Sequence, residues 1–255
     1  MKITVCELPD DRAKFAAAWE RLAEHTKKEG AEMALLPETP FSPWIFAYPK
    51  FVPGVWKEAV GAHEEWMGRL PELGAKVVLG SRLVGTGRQR FNEGFAWTEA
   101  GVASSHRKCY LPDEAGFYEA RWYGRGGRKF EPFEVEGWKV GFLTCSDLWS
   151  MANARSYGKH GVGLIAAPRC TGLSTDKWLA GGRVASVISG AYCASSNRTG
   201  ERGDAKFGGL GWVVDPDGKV LATTGRDEPF VTVEIDAKLA RKAKKTYPRD
   251  SLEPD

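Results

Sequence analysis

Apolar and polar positions repeat along this chain with two periods, and the switches between them mark out its elements. Residues 2–8, KITVCEL, alternate as a strand does, and DRAKFAAAWERLAEHTKKEG then sets Phe15, Trp19, Leu22 and Thr26 on one helical face before a terminating glycine. The short apolar run AEMALLPE reads as a buried strand, so the chain opens β-α-β. Four prolines in PFSPWIFAYPKFVPG predict a loop. A second amphipathic helix over residues 56–70 turns Val60, Trp66, Met67 and Leu70 inward, and AKVVLGSRLV, RFNEGFAWT and GVASSHRKCY follow as three strands. Residues 111–130 show no clean period and predict a long loop with a helical turn.

The second half repeats the theme. A strand, WKVGFLT, leads into a helix, SDLWSMANARSYGKHG; a strand, VGLIAAP, leads into a helix across residues 176–188 and a further strand, AYCASSN. GLGWVVDPDGKVLAT is a hairpin with an Asp-Gly turn, and FVTVEI is a closing strand. Two β-α-β halves with added hairpins predict an α/β fold of two mixed sheets covered by helices, in a single domain over residues 1–255.

Composition narrows the partners. A formal charge of +3, with no cluster of basic residues interleaved with aromatics, argues against nucleic acid and against an anionic membrane surface. The basic run KLARKAKKTYPR reads as the solvated face of a short terminal helix. No apolar run reaches signal-peptide or membrane-spanning length, so a cytoplasmic protein is expected, and the sequon Asn197-Arg198-Thr199 stays unused. The five cysteines, Cys6, Cys109, Cys145, Cys170 and Cys193, form an odd, scattered set without C-x-x-C, which argues against a disulfide framework and structural zinc. His25, His63, His106 and His160 show no ligand spacing either.

Three reactive side chains stand where a buried strand gives way to a loop or helix, the place where α/β sheets build their sites. They are Glu38 after MALLP, Lys108 after VASSHR and Cys145 after VGFLT. Alone, each has a plainer reading: Cys145 a buried thiol, Glu38 a helix cap or surface ion partner, Lys108 an exposed lysine beside His106 and Arg107. For Cys145 the context adds weight. Ser146 and Asp147 read as the first turn of a helix, whose N–H groups and dipole would lower the thiol pKa.

Together, LLPETPF, HRKCYLPDEAGFYEARWY and GFLTCSDLW resemble, in order and spacing, the Glu, Lys and Cys motifs of the nitrilase superfamily of carbon-nitrogen hydrolases, on its amidase and carbamoylase side. NARSYGKHGVGLIAAP, SSNRTG and GWVVDPDGKVLA extend the resemblance over nearly the whole chain. It implies a four-layer α-β-β-α sandwich. It also implies Glu38 as general base, Lys108 as transition-state stabiliser, Cys145 as nucleophile, and Glu119 as holder of Lys108 and the substrate nitrogen. Asp113 and Glu114 are then loop residues.

On that resemblance the reaction passes through a thioester on Cys145, the oxyanion meets Lys108 and the Ser146 backbone N–H, and no metal or organic cofactor is required. The pair Ser146-Asp147 tilts the substrate towards a small amide or N-carbamoyl compound; a nitrile is the alternative. Phe41, Trp44, Phe117, Trp122, Trp149 and Arg169 follow the catalytic strands and are candidate pocket walls, Arg169 as partner of a carboxylate, or else core and dimer contacts. Relatives commonly dimerise through the helix after the nucleophile, here residues 147–158, with Met151 and Tyr157 candidates to face a partner in a homodimer or higher homo-oligomer. Two rival readings remain: a Cys-His hydrolase using His160, and a non-catalytic interaction protein.

Overall fold

The computed structural model describes residues 1–86 and 89–250. Strand β1 (Lys2–Pro9) leads into helix α1 (Arg12–Glu29), which Asp11 caps by accepting the Ala13 N–H at 2.9 Å and Gly30 ends with a left-handed φ of 62°. Then come β2 (Met33–Leu35), α2 (Pro53–Met67), β3 (Val77–Thr86), β4 (Gln89–Thr98) and β5 (Gly101–Arg107). The second half holds β6 (Phe133–Val135), β7 (Trp138–Phe142), α3 (Met151–Lys159), β8 (Leu164–Pro168), α4 (Thr175–Ser189) and β9 (Tyr192–Arg202). β10 (Ala205–Gly208), β11 (Trp212–Val214), β12 (Val220–Thr223), β13 (Phe230–Glu234) and α5 (Ala237–Ala243) complete it.

The strands run in the order β5-β4-β3-β2-β1-β9-β8-β7-β6. β1 explains why two sheets share one continuous path. Its residues 2–6 pair with β13, but residues 7–9 pass to β9, pairing Glu7 with Asn197 and Pro9 with Thr199. The sheets are thus stitched together at one end and packed face to face beyond it.

Side-chain alternation builds the layers. Ile3, Val5, Met33 and Leu35 of one sheet meet Val140, Phe142, Leu164 and Ala166 of the other in an apolar slab. The alternate residues Cys6, Leu8, Ala34 and Leu36 face Phe15, Trp19 and Leu22 of α1, while Ile165, Ala167 and Cys193 face Ala154 and Tyr157 of α3 and Trp178 of α4. This is the four-layer α-β-β-α sandwich, with strands buried on both faces and therefore written as unbroken apolar runs. One close approach demands a glycine: a Cβ on Gly141 would lie 2.5 Å from the Tyr157 ring.

Three expectations change. The helix expected from Ser146 is a five-residue 3-10 turn, Cys145–Trp149, separated from α3 by non-helical Ser150. Tyr157 faces the core, not a partner, donating to the Phe142 carbonyl at 2.8 Å, whereas Met151 is half-buried. In α2 the buried stripe is Trp56, Ala59 and His63, with Val60, Trp66 and Met67 only partly covered and Leu70 in a separate 3-10 turn. α5 is short and exposes its lysines, as the basic run predicts.

Candidate active site

The ends of β2, β5 and β7 bring Glu38, Lys108 and Cys145 together in the interior. Glu38 and Glu119 are 0 % exposed, Lys108 1 % and Cys145 3 %. The Lys108 ammonium donates to Glu38 Oε1 and to Glu119 Oε2, both at 2.6 Å. Glu38 Oε1 also accepts Asn92 Nδ2 at 2.7 Å, and its Oε2 accepts the Cys170 N–H at 3.1 Å. Tyr123 donates its hydroxyl to Glu119 Oε2, while Glu119 Oε1 is buried with no hydrogen-bond partner among the described residues. Charges taken out of water persist only when paired in this way, and Asn92 Oδ1, like Glu119 Oε1, is a buried acceptor without a partner among the described residues.

Electrostatics assign the resting protonation. Burial, then the charge of Glu38, pushes the Cys145 thiol well above its ordinary pKa, and Lys108 only partly opposes them. The helix-dipole expectation is thus corrected: a 3-10 turn supplies no long aligned dipole, and the thiol rests protonated until a base takes its proton. Burial alone would push Lys108 down, but the negative charges of Cys145 once it is ionised, and of Glu119 and Glu38, outweigh it and hold the ammonium charged. Burial, with help from Glu38 and against Lys108, lifts Glu119 to about 7.

The backbone is strained at two of these points. Cys145 has φ 50° and Thr39, next to Glu38, has φ 40°, conformations that cost a non-glycine residue roughly 1–3 kcal/mol. Arg198 holds the Glu38 loop in place. Its guanidinium donates to the carbonyls of Glu38 at 3.1 Å, Ser42 at 3.0 Å and Thr39, and pairs with Asp10 at 2.6 Å. On the other side, Gly126 N–H donates to the Lys108 carbonyl at 2.9 Å, an approach that leaves no room for a Cβ, which would sit 1.9 Å from the Arg107 oxygen.

The carbon-nitrogen hydrolase family model matches residues 2–245. The chain belongs to the carbon-nitrogen hydrolase family. It is similar to the omega-amidase of Xenopus tropicalis, 24% identical over 89% of this chain and 85% of that one, and to the N-carbamoylputrescine amidase of Solanum lycopersicum, 28% identical over 50% and 48%. The first relatives it matches are thus covered over about half of their length. Among solved structures, a variant of the amidase from Nesterenkonia sp. AN1, carrying acrylamide added at its active-site cysteine, shares the fold with a TM-score of 0.76 and 21% identity, covering 99% of this chain and 100% of that one.

Of the side chains expected around the site, several are closed off from solvent among other side chains. Phe41 is buried against Trp19 and Trp66, and Trp122 is buried with its Nε1 donating to the Tyr48 carbonyl at 2.7 Å. Trp44 is also enclosed, donating to the Gly116 carbonyl at 2.9 Å. Arg169, read as a carboxylate partner or a structural residue, is fully buried and donates to Ser195 Oγ at 2.6 Å, Thr171 Oγ1 at 3.0 Å and the Leu210 carbonyl. Phe117 is half-buried against Trp44 and Phe207. Only Trp149 of the six is exposed, at 43 %, in a groove of about 580 Å³ that it shares with Tyr110, Leu111, Pro112, Arg125, Ser146 and Ser150.

The rival base is misplaced: His160 is exposed at the end of α3, its Nδ1 2.8 Å from the Ser156 carbonyl. Asn92, Tyr123 and Arg198 escape a reading of the sequence alone. Asn92 leaves a trace, being a polar residue amid the apolar positions of β4, and Tyr123 follows Glu119 by one helical turn.

Proposed function

We propose that the chain hydrolyses the carbon-nitrogen bond of a small linear amide or N-carbamoyl compound through a thioester on Cys145. The observation that carries this reading is the buried Glu38-Lys108-Glu119 cluster built beside a protonated thiol. Glu38 takes the Cys145 proton as the sulfur attacks the carbonyl carbon, and the tetrahedral oxyanion is met by the Lys108 ammonium and the Ser146 N–H. The latter lies in the first turn of the 3-10 segment, where backbone N–H groups lack partners within the turn. Glu38 then delivers its proton to the leaving nitrogen, releasing ammonia or an amine. Water, deprotonated by Glu38, cleaves the thioester and frees the acid.

Glu119 Oε1, buried and unpartnered, suits the N–H of an amide or carbamoyl substrate, which a nitrile lacks. The amidases among its relatives support the same choice. The reading carries a cytoplasmic small-molecule enzyme that is a homodimer or higher homo-oligomer. Among the described residues no helix is long and apolar enough to cross a membrane. Ammonia release across a panel of amides, N-carbamoyl compounds and nitriles, with Cys145→Ala as control, tests it. Turnover of amides or carbamoyl compounds, lost in the variant, is expected; turnover of nitriles alone contradicts the substrate class, and an active Cys145→Ala contradicts the mechanism.

A further inference from the structure

Asp147, two residues beyond the nucleophile, is fully buried and turns both carboxylate oxygens back towards the segment that carries Lys108. Its Oδ1 accepts the Cys109 N–H at 3.1 Å and the Tyr110 N–H at 2.9 Å, and its Oδ2 lies 2.8 Å from His106 Nε2. The neighbouring Ser146 hydroxyl donates to the Tyr110 carbonyl. His106 is itself packed, its ring centroid 4.3 Å from that of Phe130. The two residues after Cys145 therefore grip the chain on both sides of Lys108, at His106 before it and at Cys109 and Tyr110 after it.

We propose that Asp147 is a positioning residue that locks the Cys145 turn to the Lys108 segment, fixing sulfur and ammonium at one separation through both steps of the reaction. Such a lock is needed because the turn is short, begins on a strained residue and has no long helix behind it. A carboxylate suits the task since one oxygen can accept two adjacent backbone N–H groups while the other receives the imidazole. The carboxylate oxygens of Asp147 are engaged by the Lys108 segment and by His106, so the influence argued for it is one of placement. The residue pair that sequence comparison uses to separate substrate classes has a mechanical role here.

This inference rests on the proposed cysteine hydrolysis, and its test includes a readout that needs no substrate. In the full chain, the iodoacetamide alkylation rate of Cys145 is followed against pH for wild type, Asp147→Asn and Asp147→Ala, beside kcat and KM per titrated thiol on an amide that wild type hydrolyses. Asp147→Ala is expected to lower kcat about 10²-fold, the cost of misplacement on the ångström scale, with KM unchanged. The same variant moves the alkylation midpoint upward as Lys108 withdraws. Asp147→Asn, which keeps an oxygen for both N–H groups, restores most of kcat. Wild-type kcat and an unmoved midpoint in folded Asp147→Ala overturn the proposal, as does an equal loss in Asn and Ala. Should Asp147→Ala not fold, His106→Ala decides on the same two readouts, wild-type values again overturning it. If wild type hydrolyses no amide, the proposed function fails while the alkylation midpoint still tests the lock.

Discussion

The slab between the two sheets and the polar cluster at their ends are equally buried and obey opposite rules. In the slab, Ile3, Leu35, Phe142 and Leu164 gain by leaving water, and any apolar side chain of matching volume serves nearly as well. In the cluster, Glu38, Lys108 and Glu119 lose hydration that their mutual bonds only partly return, so each partner is irreplaceable. Stability is therefore expected to reside in the first region and the proposed reactivity in the second. Substitutions should separate the two.

The largest effects fall on turnover. Glu38→Gln is expected to lower kcat by about 10²–10⁴-fold through loss of the proton acceptor. Lys108→Met should lower it by roughly 10²–10³-fold through loss of an oxyanion donor. Steady-state kinetics on a hydrolysed amide checks both, and wild-type turnover in either would erase the distinction between the regions. Leu164→Ala, at a position with no exposed surface, should instead cost about 2–5 kcal/mol in urea unfolding and leave kcat per titrated Cys145 unchanged.

A smaller effect tests the charge balance of the cluster. Glu119 titrates at about 7 when folded, against 4.5 ordinarily, so the folded protein keeps a proton that the unfolded chain releases between those values. Folding stability contributed by this group is full below about pH 4.5 and is lost as pH rises through about 7. Urea unfolding of wild type should therefore weaken relative to Glu119→Gln across that window, and parallel pH curves would contradict it. Smallest of all, Trp149→Ala in the open groove should raise KM with kcat unchanged, whereas Phe41→Leu in the packed interior should change stability alone.

The two regions also differ in how well a sequence reveals them. Slab residues declare themselves by period, since a strand buried on both faces is an apolar run and a helix on one face repeats every three to four residues; α1, β7 and β8 follow from that. Glu38, Lys108 and Cys145 were legible through strand ends and motif order, but their bonds were not, because partners such as Asn92 and Tyr123 come from other strands and turns. Phe41, Trp122 and Arg169 show the limit from the other side. Following a catalytic strand places a residue near the site in the chain, whereas burial against α1, Tyr48 or Ser195 depends on loop paths that no local pattern encodes. The 3-10 turn after Cys145 was hidden for a related reason, its residues suiting a helix while the bonds of Asp147 to the Lys108 segment hold them otherwise.

On the proposed mechanism Cys145 becomes acylated while Glu38 moves its proton. Acid-quenched mixtures of the protein with a hydrolysed amide, digested and weighed by mass spectrometry, test it most directly. The acyl mass is expected on the Cys145 peptide within the first turnovers, absent in Cys145→Ala and accumulating more slowly in Glu38→Gln. Turnover with no adduct on Cys145, or an adduct on Cys170 or Cys109 instead, would contradict it.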